Sequence, residues 1–133
     1  MNGANVKVYS KAKDGDKSLS KNFKVREFAC TDSSDPVFIS PDLVEVLQKI
    51  RDHFKKPVTI NSAYRTPVKN KAVGGAAYSQ HLYGTAADIT VKGISPLVVA
   101  TYADSLLPGK GGIGIYSTFT HVDVRATKSR WNG

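Results

Sequence analysis

The chain has 133 residues, 41% of them hydrophobic and 23% charged, with one cysteine and a formal charge of +8. That length suits one domain with one real core. No apolar run approaches the roughly 20 residues of a membrane helix, Met1–Lys7 carry no signal-peptide-like stretch, and Cys30 alone excludes an internal disulfide or a cysteine metal cluster. Cys30 reads as a small buried apolar residue.

Residues 1–22 are polar and read as an N-terminal arm, with one short strand at Val6–Ser10 and a turn at Asp14-Gly15-Asp16-Lys17. The positive charge is densest in the first 30 residues, at Lys7, Lys11, Lys13, Lys17, Lys21, Lys24 and Arg26. Such a surface suits a polyanion: nucleic acid, anionic membrane, or a bacterial wall rich in carboxylate and teichoic acid. Residues 23–133 read as the folded domain, opening with a helical turn at Val25–Cys30.

Ile39–Phe54 is the clearest helix, capped by Ser40-Pro41-Asp42, with Leu43, Val44, Val46, Leu47, Ile50 and Phe54 on one stripe. His53 falls off that stripe and reads as a surface residue. Residues 57–65 read as a strand entering a loop, and Thr66-Pro67 start a short helix through Ala72 that Gly74-Gly75 end. Then come a strand at Thr85–Val91, a helix at Leu97–Leu107 capped by Ser95-Pro96, and strands at Gly112–Tyr116 and Phe119–Arg125. Helices and strands interleave irregularly, so the expected class is α+β: a single domain with an antiparallel sheet flanked by helices.

Two of the three histidines lie close to aspartates, in Ser79-Gln80-His81-Leu82-Tyr83-Gly84-Thr85-Ala86-Ala87-Asp88 and in Phe119-Thr120-His121-Val122-Asp123. On the last expected strand, alternation places Phe119, His121, Asp123 and Arg125 on one face, while Val122 and Val124 anchor the other. A loop bending at Tyr83-Gly84 brings His81 and Asp88 together. Two imidazoles and a carboxylate make three metal ligands with one position left for water, and that mixture favours zinc over Mg2+ or Ca2+. Zinc there would draw the pKa of water from 15.7 toward roughly 7 and polarise a carbonyl.

The motif Ser79-x-His81-x-x-Gly84-x-Ala86-x-Asp88, followed by Gly111-Gly112-Ile113-Gly114-x-Tyr116 and Phe119-x-His121-Val122-Asp123, resembles the zinc D-alanyl-D-alanine metallopeptidase family. Upstream, residues 60–67 and Asn70-x-x-Val73-Gly74-Gly75 resemble its substrate-binding stretch. The likeness runs through residues 23–125 and is greatest to small stand-alone members, some carried by phages and prophages as wall-lytic enzymes. It implies a hedgehog-like fold, Zn2+ as cofactor, His81, Asp88 and His121 as ligands, and Arg65 binding a substrate carbonyl or carboxylate. Ser62, Asn70 and Ser79 are implied on the substrate side, although Ser79 is equally suited to cap the turn before His81.

There is one departure from the family pattern. Several members carry a carboxylate general base three residues before the last histidine, and here that residue is Thr118. Asp123 is the nearest acid and is expected either as the base or as the group orienting His121.

Three functions compete. The first is a zinc peptidase that cuts an amide bond in peptidoglycan stem peptides, as a D-Ala-D-Ala carboxypeptidase or a murein endopeptidase of endolysin type. It would be monomeric, made in the cytoplasm without a signal peptide, and would act at the wall. The second is a wall-binding or structural module of the same fold without catalysis, which Thr118 favours. The third, a nucleic-acid binder, has only charge behind it; no finger, stacking motif or basic recognition helix accompanies it, so no nucleic-acid partner is expected.

Overall fold

The computed structural model describes residues 5–133. In chain order the elements are β1 (Lys7–Ser10), α1 (Lys11–Asp14), a 3-10 turn (Val25–Phe28), β2 (Pro36–Ile39), α2 (Pro41–Phe54), β3 (Val58–Ser62) and α3 (Pro67–Ala72). A second 3-10 turn (Gln80–Tyr83), β4 (Ala86–Val91), α4 (Pro96–Leu106), β5 (Gly112–Ile115), β6 (Thr120–Asp123) and β7 (Ser129–Asn132) follow. The fold is α+β, as expected. The five-stranded sheet has the order β3-β4-β6-β5-β7, and β1 pairs separately with β2. Pairing is antiparallel from β3 through β5; β7 lies parallel to β5.

The helices form where their caps and stripes dictate. Ser40 is extended, and its side chain accepts the Leu43 N–H, so Pro41 is the first helical residue and Ile39 closes β2 instead of opening α2. Leu43, Val44, Val46, Leu47 and Ile50 are buried. Lys55 takes the left-handed conformation and returns its N–H to the Arg51 carbonyl, which ends the helix. Ser95 caps α4 in the same way as Ser40 caps α2. His53 is exposed and stacks on Tyr102 at 3.7 Å between ring centroids.

One face of the sheet, with Ala87, Ile89, Val91, Ile113 and Val122, joins α2 and α4 residues such as Leu47, Ile50, Val99 and Ala103 in a single apolar core. Cys30 is buried in that core. Burial of this kind is the main stabilising contribution in a domain this size.

Of the expected N-terminal arm, residues 1–4 lie outside the described residues. From Lys7 onward the stretch is bound into the domain: Lys7 pairs with Ile39, Ala12 N–H donates to Asp35, and Val25 N–H donates to the Lys17 carbonyl. Backbone pairing achieves this without the apolar periodicity that would have announced it. Among the described residues, no helix is long and apolar enough to cross a membrane.

Candidate metal centre

The candidate side chains project from the sheet face opposite the core. Strand register sets Ser62, Asp88, His121, Gly114 and Trp131 in one row across β3, β4, β6, β5 and β7. A second row joins Ala86, Asp123, Gly112 and Ser129. Asp88 and His121 are therefore direct cross-strand neighbours, though they stand 33 residues apart in the chain.

His81 reaches the same point from the 3-10 turn Gln80–Tyr83. Ser79 caps that turn by accepting the His81 N–H at 3.2 Å, and Gly84 ends it at a φ of 74°. Any side chain at 84 would also run into the Phe38 backbone, so the position admits only glycine. The His81 carbonyl accepts the Arg65 N–H, and the Gly84 carbonyl accepts the Ser40 N–H, which locks the turn to two other segments.

His81, Asp88 and His121 are 3%, 7% and 7% exposed, and their ligand atoms all lie within 4.8 Å of one another. His81 Nδ1 is 2.6 Å from the Ala63 carbonyl oxygen. A carbonyl only accepts, so Nδ1 carries the proton and Nε2 presents a lone pair, 3.3 Å from Asp88 Oδ1. His121 Nε2–H donates to Asp123 Oδ2 at 2.8 Å, leaving Nδ1 turned to Asp88 Oδ1 at 3.0 Å. Two imidazole nitrogens and a carboxylate oxygen thus converge in a buried place where only a cation or an added proton reconciles them. The donor set fits a divalent metal with open coordination.

The electrostatics agree. Burial disfavours charge on His121, but the carboxylates of Asp123 and Asp88 on its two nitrogens raise its pKa above imidazole's ordinary value. Burial also works against ionised Asp88, yet the contacts with His121 and His81, when the cluster holds its added proton, keep it well below the usual carboxylate range. Asp123 is likewise held low against its burial, by His121 and Arg125. The cluster is built around one extra positive charge.

Asp123 is fully buried. Its Oδ1 accepts from Gly112 N–H at 2.9 Å, from Arg125 N–H at 3.1 Å and from Arg125 Nε at 2.9 Å, while its Oδ2 takes His121 Nε2–H and Arg125 Nη2 at 2.6 Å. Gly112 leaves the space that the carboxylate occupies. Thr118 is exposed, and its carbonyl accepts from Thr90 Oγ1 at 3.4 Å.

Arg65 stands beside the cluster. Its Nε donates to Ser62 Oγ at 3.2 Å, Nη1 to Asn70 Oδ1 at 3.3 Å, and Nη2 lies 3.5 Å from Asp88 Oδ2. Three of its five N–H groups are so engaged, leaving one on each terminal nitrogen for a further acceptor. Asn70 is buried, and its amide also donates to the Ala76 carbonyl, so it steadies both Arg65 and the loop that follows α3.

Residues 21–123 match the Peptidase M15 family. The chain belongs to that family. A zinc D-Ala-D-Ala carboxypeptidase from Streptomyces albus G is 37% identical to it over 73 residues, covering 50% of this chain and 28% of the relative. The chain thus spans well under half the length of the curated relative it matches.

Trp131, on β7, was invisible to periodicity. Ser129–Asn132 is four residues long with no turn signal before it. The one available hint was that the chain's single tryptophan lies there.

Proposed function

We propose that the chain is a zinc peptidase that hydrolyses an amide bond in peptidoglycan stem peptides. The observation that carries this reading is the convergence of His81 Nε2, Asp88 Oδ1 and His121 Nδ1 in a member of the Peptidase M15 family. These three side chains would hold the ion. Zinc bound there supplies Lewis acidity for attack of water on a carbonyl.

The chain's own residues do the rest. Asp88 neutralises part of the ion's charge and is fixed on its other oxygen by Arg65. Arg65, steadied by Ser62 and Asn70, offers its two remaining N–H groups to the carbonyl or terminal carboxylate of the substrate. Ser79, half-buried at the start of the turn, caps it and orients His81. Of the two roles expected for Asp123, the enclosed geometry supports orienting His121, because its carboxylate is already saturated with donors. The +8 charge holds the protein against an anionic wall. Identity to a D-Ala-D-Ala carboxypeptidase favours a terminal D-Ala-D-Ala bond over a cross-bridge.

A second reading has two observations in its favour: Thr118 stands where several members of the family carry a base, and Asp123 is enclosed. A module that keeps the metal site and binds wall without turnover would look the same. Digestion of purified peptidoglycan with added Zn2+, followed by mass spectrometry of the muropeptides, separates the two. The peptidase releases new amine termini and loses that activity in His81→Ala and in excess chelator. Intact muropeptides under every condition would leave the binding module.

A further inference from the structure

β7 lies beyond the stretch matched to the family, and it carries the only tryptophan of the chain. Trp131 pairs with Gly114, and Gly114 pairs in turn with His121. With no side chain on Gly114, the indole crosses over β5 until its ring centroid is 5.0 Å from that of His121. A Cβ built on Gly114 would stand 2.5 Å from the indole Cε2 and Nε1, so the ring fills that space completely.

The indole is held on several sides. Its Nε1–H donates to the Tyr116 hydroxyl at 2.9 Å, and Tyr116 stacks on Phe119 at 4.4 Å. The Arg125 guanidinium lies 5.5 Å from the ring centroid, in cation–π range. That guanidinium grips both oxygens of Asp123, whose Oδ2 receives the Nε2–H of His121. Trp131 therefore touches the histidine directly and also covers the arginine that fixes the histidine's carboxylate partner.

We infer that Trp131 is a positioning residue for the metal centre, wedged over Gly114 so that the His121 ring keeps Nδ1 turned toward His81 and Asp88. An imidazole has broad freedom about its last torsion. Remove the indole and the space over Gly114 opens beside the ring. Water then reaches the Asp123–Arg125 pair and weakens the hydrogen bond that orients Nε2. Gly114 and Trp131 form one device, each residue useful only with the other. This inference rests on the proposed role of His121 as a ligand.

The test is zinc affinity, measured by chelator competition on the folded chain, in wild type, Trp131→Ala, Trp131→Phe, Gly114→Ala and the Gly114→Ala/Trp131→Ala pair. Loss of outer partners of a metal-bound histidine costs about 10- to 100-fold in affinity. Trp131→Ala and Gly114→Ala should each weaken zinc by about tenfold or more, while the pair should be no worse than Trp131→Ala alone. Trp131→Phe keeps an aromatic face on His121 and Arg125 and should recover most of the affinity, even if Trp131→Ala fails to fold.

The visible spectrum of the Co2+-loaded protein should change in Trp131→Ala and return in Trp131→Phe, a signature that mere destabilisation does not produce. Tryptophan emission in the wild type should shift on zinc binding with the midpoint found by competition. If wild type binds no zinc, the reading of the site fails and this inference with it. If wild type binds zinc but Trp131→Ala and Gly114→Ala bind it equally well, or emission does not respond, the site stands and the role of Trp131 is overturned.

Discussion

Asp123 illustrates how a residue's role is decided by what already surrounds it. Its carboxylate accepts from Gly112, from Arg125 three times over and from His121, in a place without solvent exposure. That enclosure is what supports the orienting role proposed for it. Asp123→Asn keeps the shape and one acceptor but removes the charge, so zinc affinity should fall by about 10- to 100-fold while the metal-free fold survives. Chelator competition and circular dichroism on the same samples check both halves.

Asp32 shows a second carboxylate at work far from the cluster. It accepts from the Ser34 hydroxyl, from Thr66 Oγ1 at 2.6 Å and from the Ser34 N–H at 2.9 Å, and these bonds hold it well below the ordinary carboxylate range. Thr66 is also the N-cap of α3. Because the folded pKa is depressed, the stability Asp32 contributes is fully present above the unfolded pKa, about 4. It is lost as pH falls below that value toward the folded one. Thermal melts of wild type and Asp32→Asn should therefore differ at pH 6, and the gap should close below about pH 4.

At the scale of elements, two very short pieces shape the proposed site. The 3-10 turn Gln80–Tyr83 is held by the Ser79 cap, by Gly84 and by the bonds from Arg65 and Ser40 to the His81 and Gly84 carbonyls. Gly84→Ala would put a Cβ on a residue at positive φ and against the Phe38 backbone. A left-handed non-glycine residue alone costs of order 1–3 kcal/mol. Urea denaturation should show a loss of at least about 2 kcal/mol, and zinc affinity should drop with it because His81 sits on the same turn.

The other short piece is β5, where Gly112 and Gly114 alternate with Ile113 and Ile115. The isoleucines face the core side. The glycines face the site and leave room for the Asp123 carboxylate and the Trp131 ring. Strand alternation thus serves packing on one face and site construction on the other.

For the whole molecule, the proposed metal centre joins segments from residue 63 to residue 125: the chain just after β3, the strands β4 and β6, and the turn before β4. A ligand that binds only the folded state stabilises it by RT ln(1 + [L]/Kd), about 2.7 kcal/mol at a hundredfold excess over Kd. For a domain of this size that corresponds to a Tm shift of the order of 10 °C. Zinc should raise the Tm of the wild type by roughly that much, excess chelator should reverse it, and His81→Ala should show no shift. An unchanged melting curve in the wild type would count against a site that spans the fold.

Much of this molecule was legible in the residues alone, for local reasons. Ser40-Pro41, Ser95-Pro96 and Thr66-Pro67 announce helix starts because a capping side chain and a ring with fixed φ act within four residues. The alternation Phe119, His121, Asp123, Arg125 announces one face of a strand because pleating is a property of the backbone. The strands β2 and β7 escaped notice because each is a strand only through its partner, β1 or β5.

The same division runs through the site. The ligand types and their resemblance to a metallopeptidase family are written in the chain, since a motif is a matter of residue identity and spacing. Which nitrogen of each histidine turns toward Asp88, whether Asp123 is free or enclosed, and what covers His121 were decided only by tertiary structure. Those outcomes depend on the Ala63 carbonyl, on two glycines of β5 and on a tryptophan from another strand, brought together by sheet register and by nothing local.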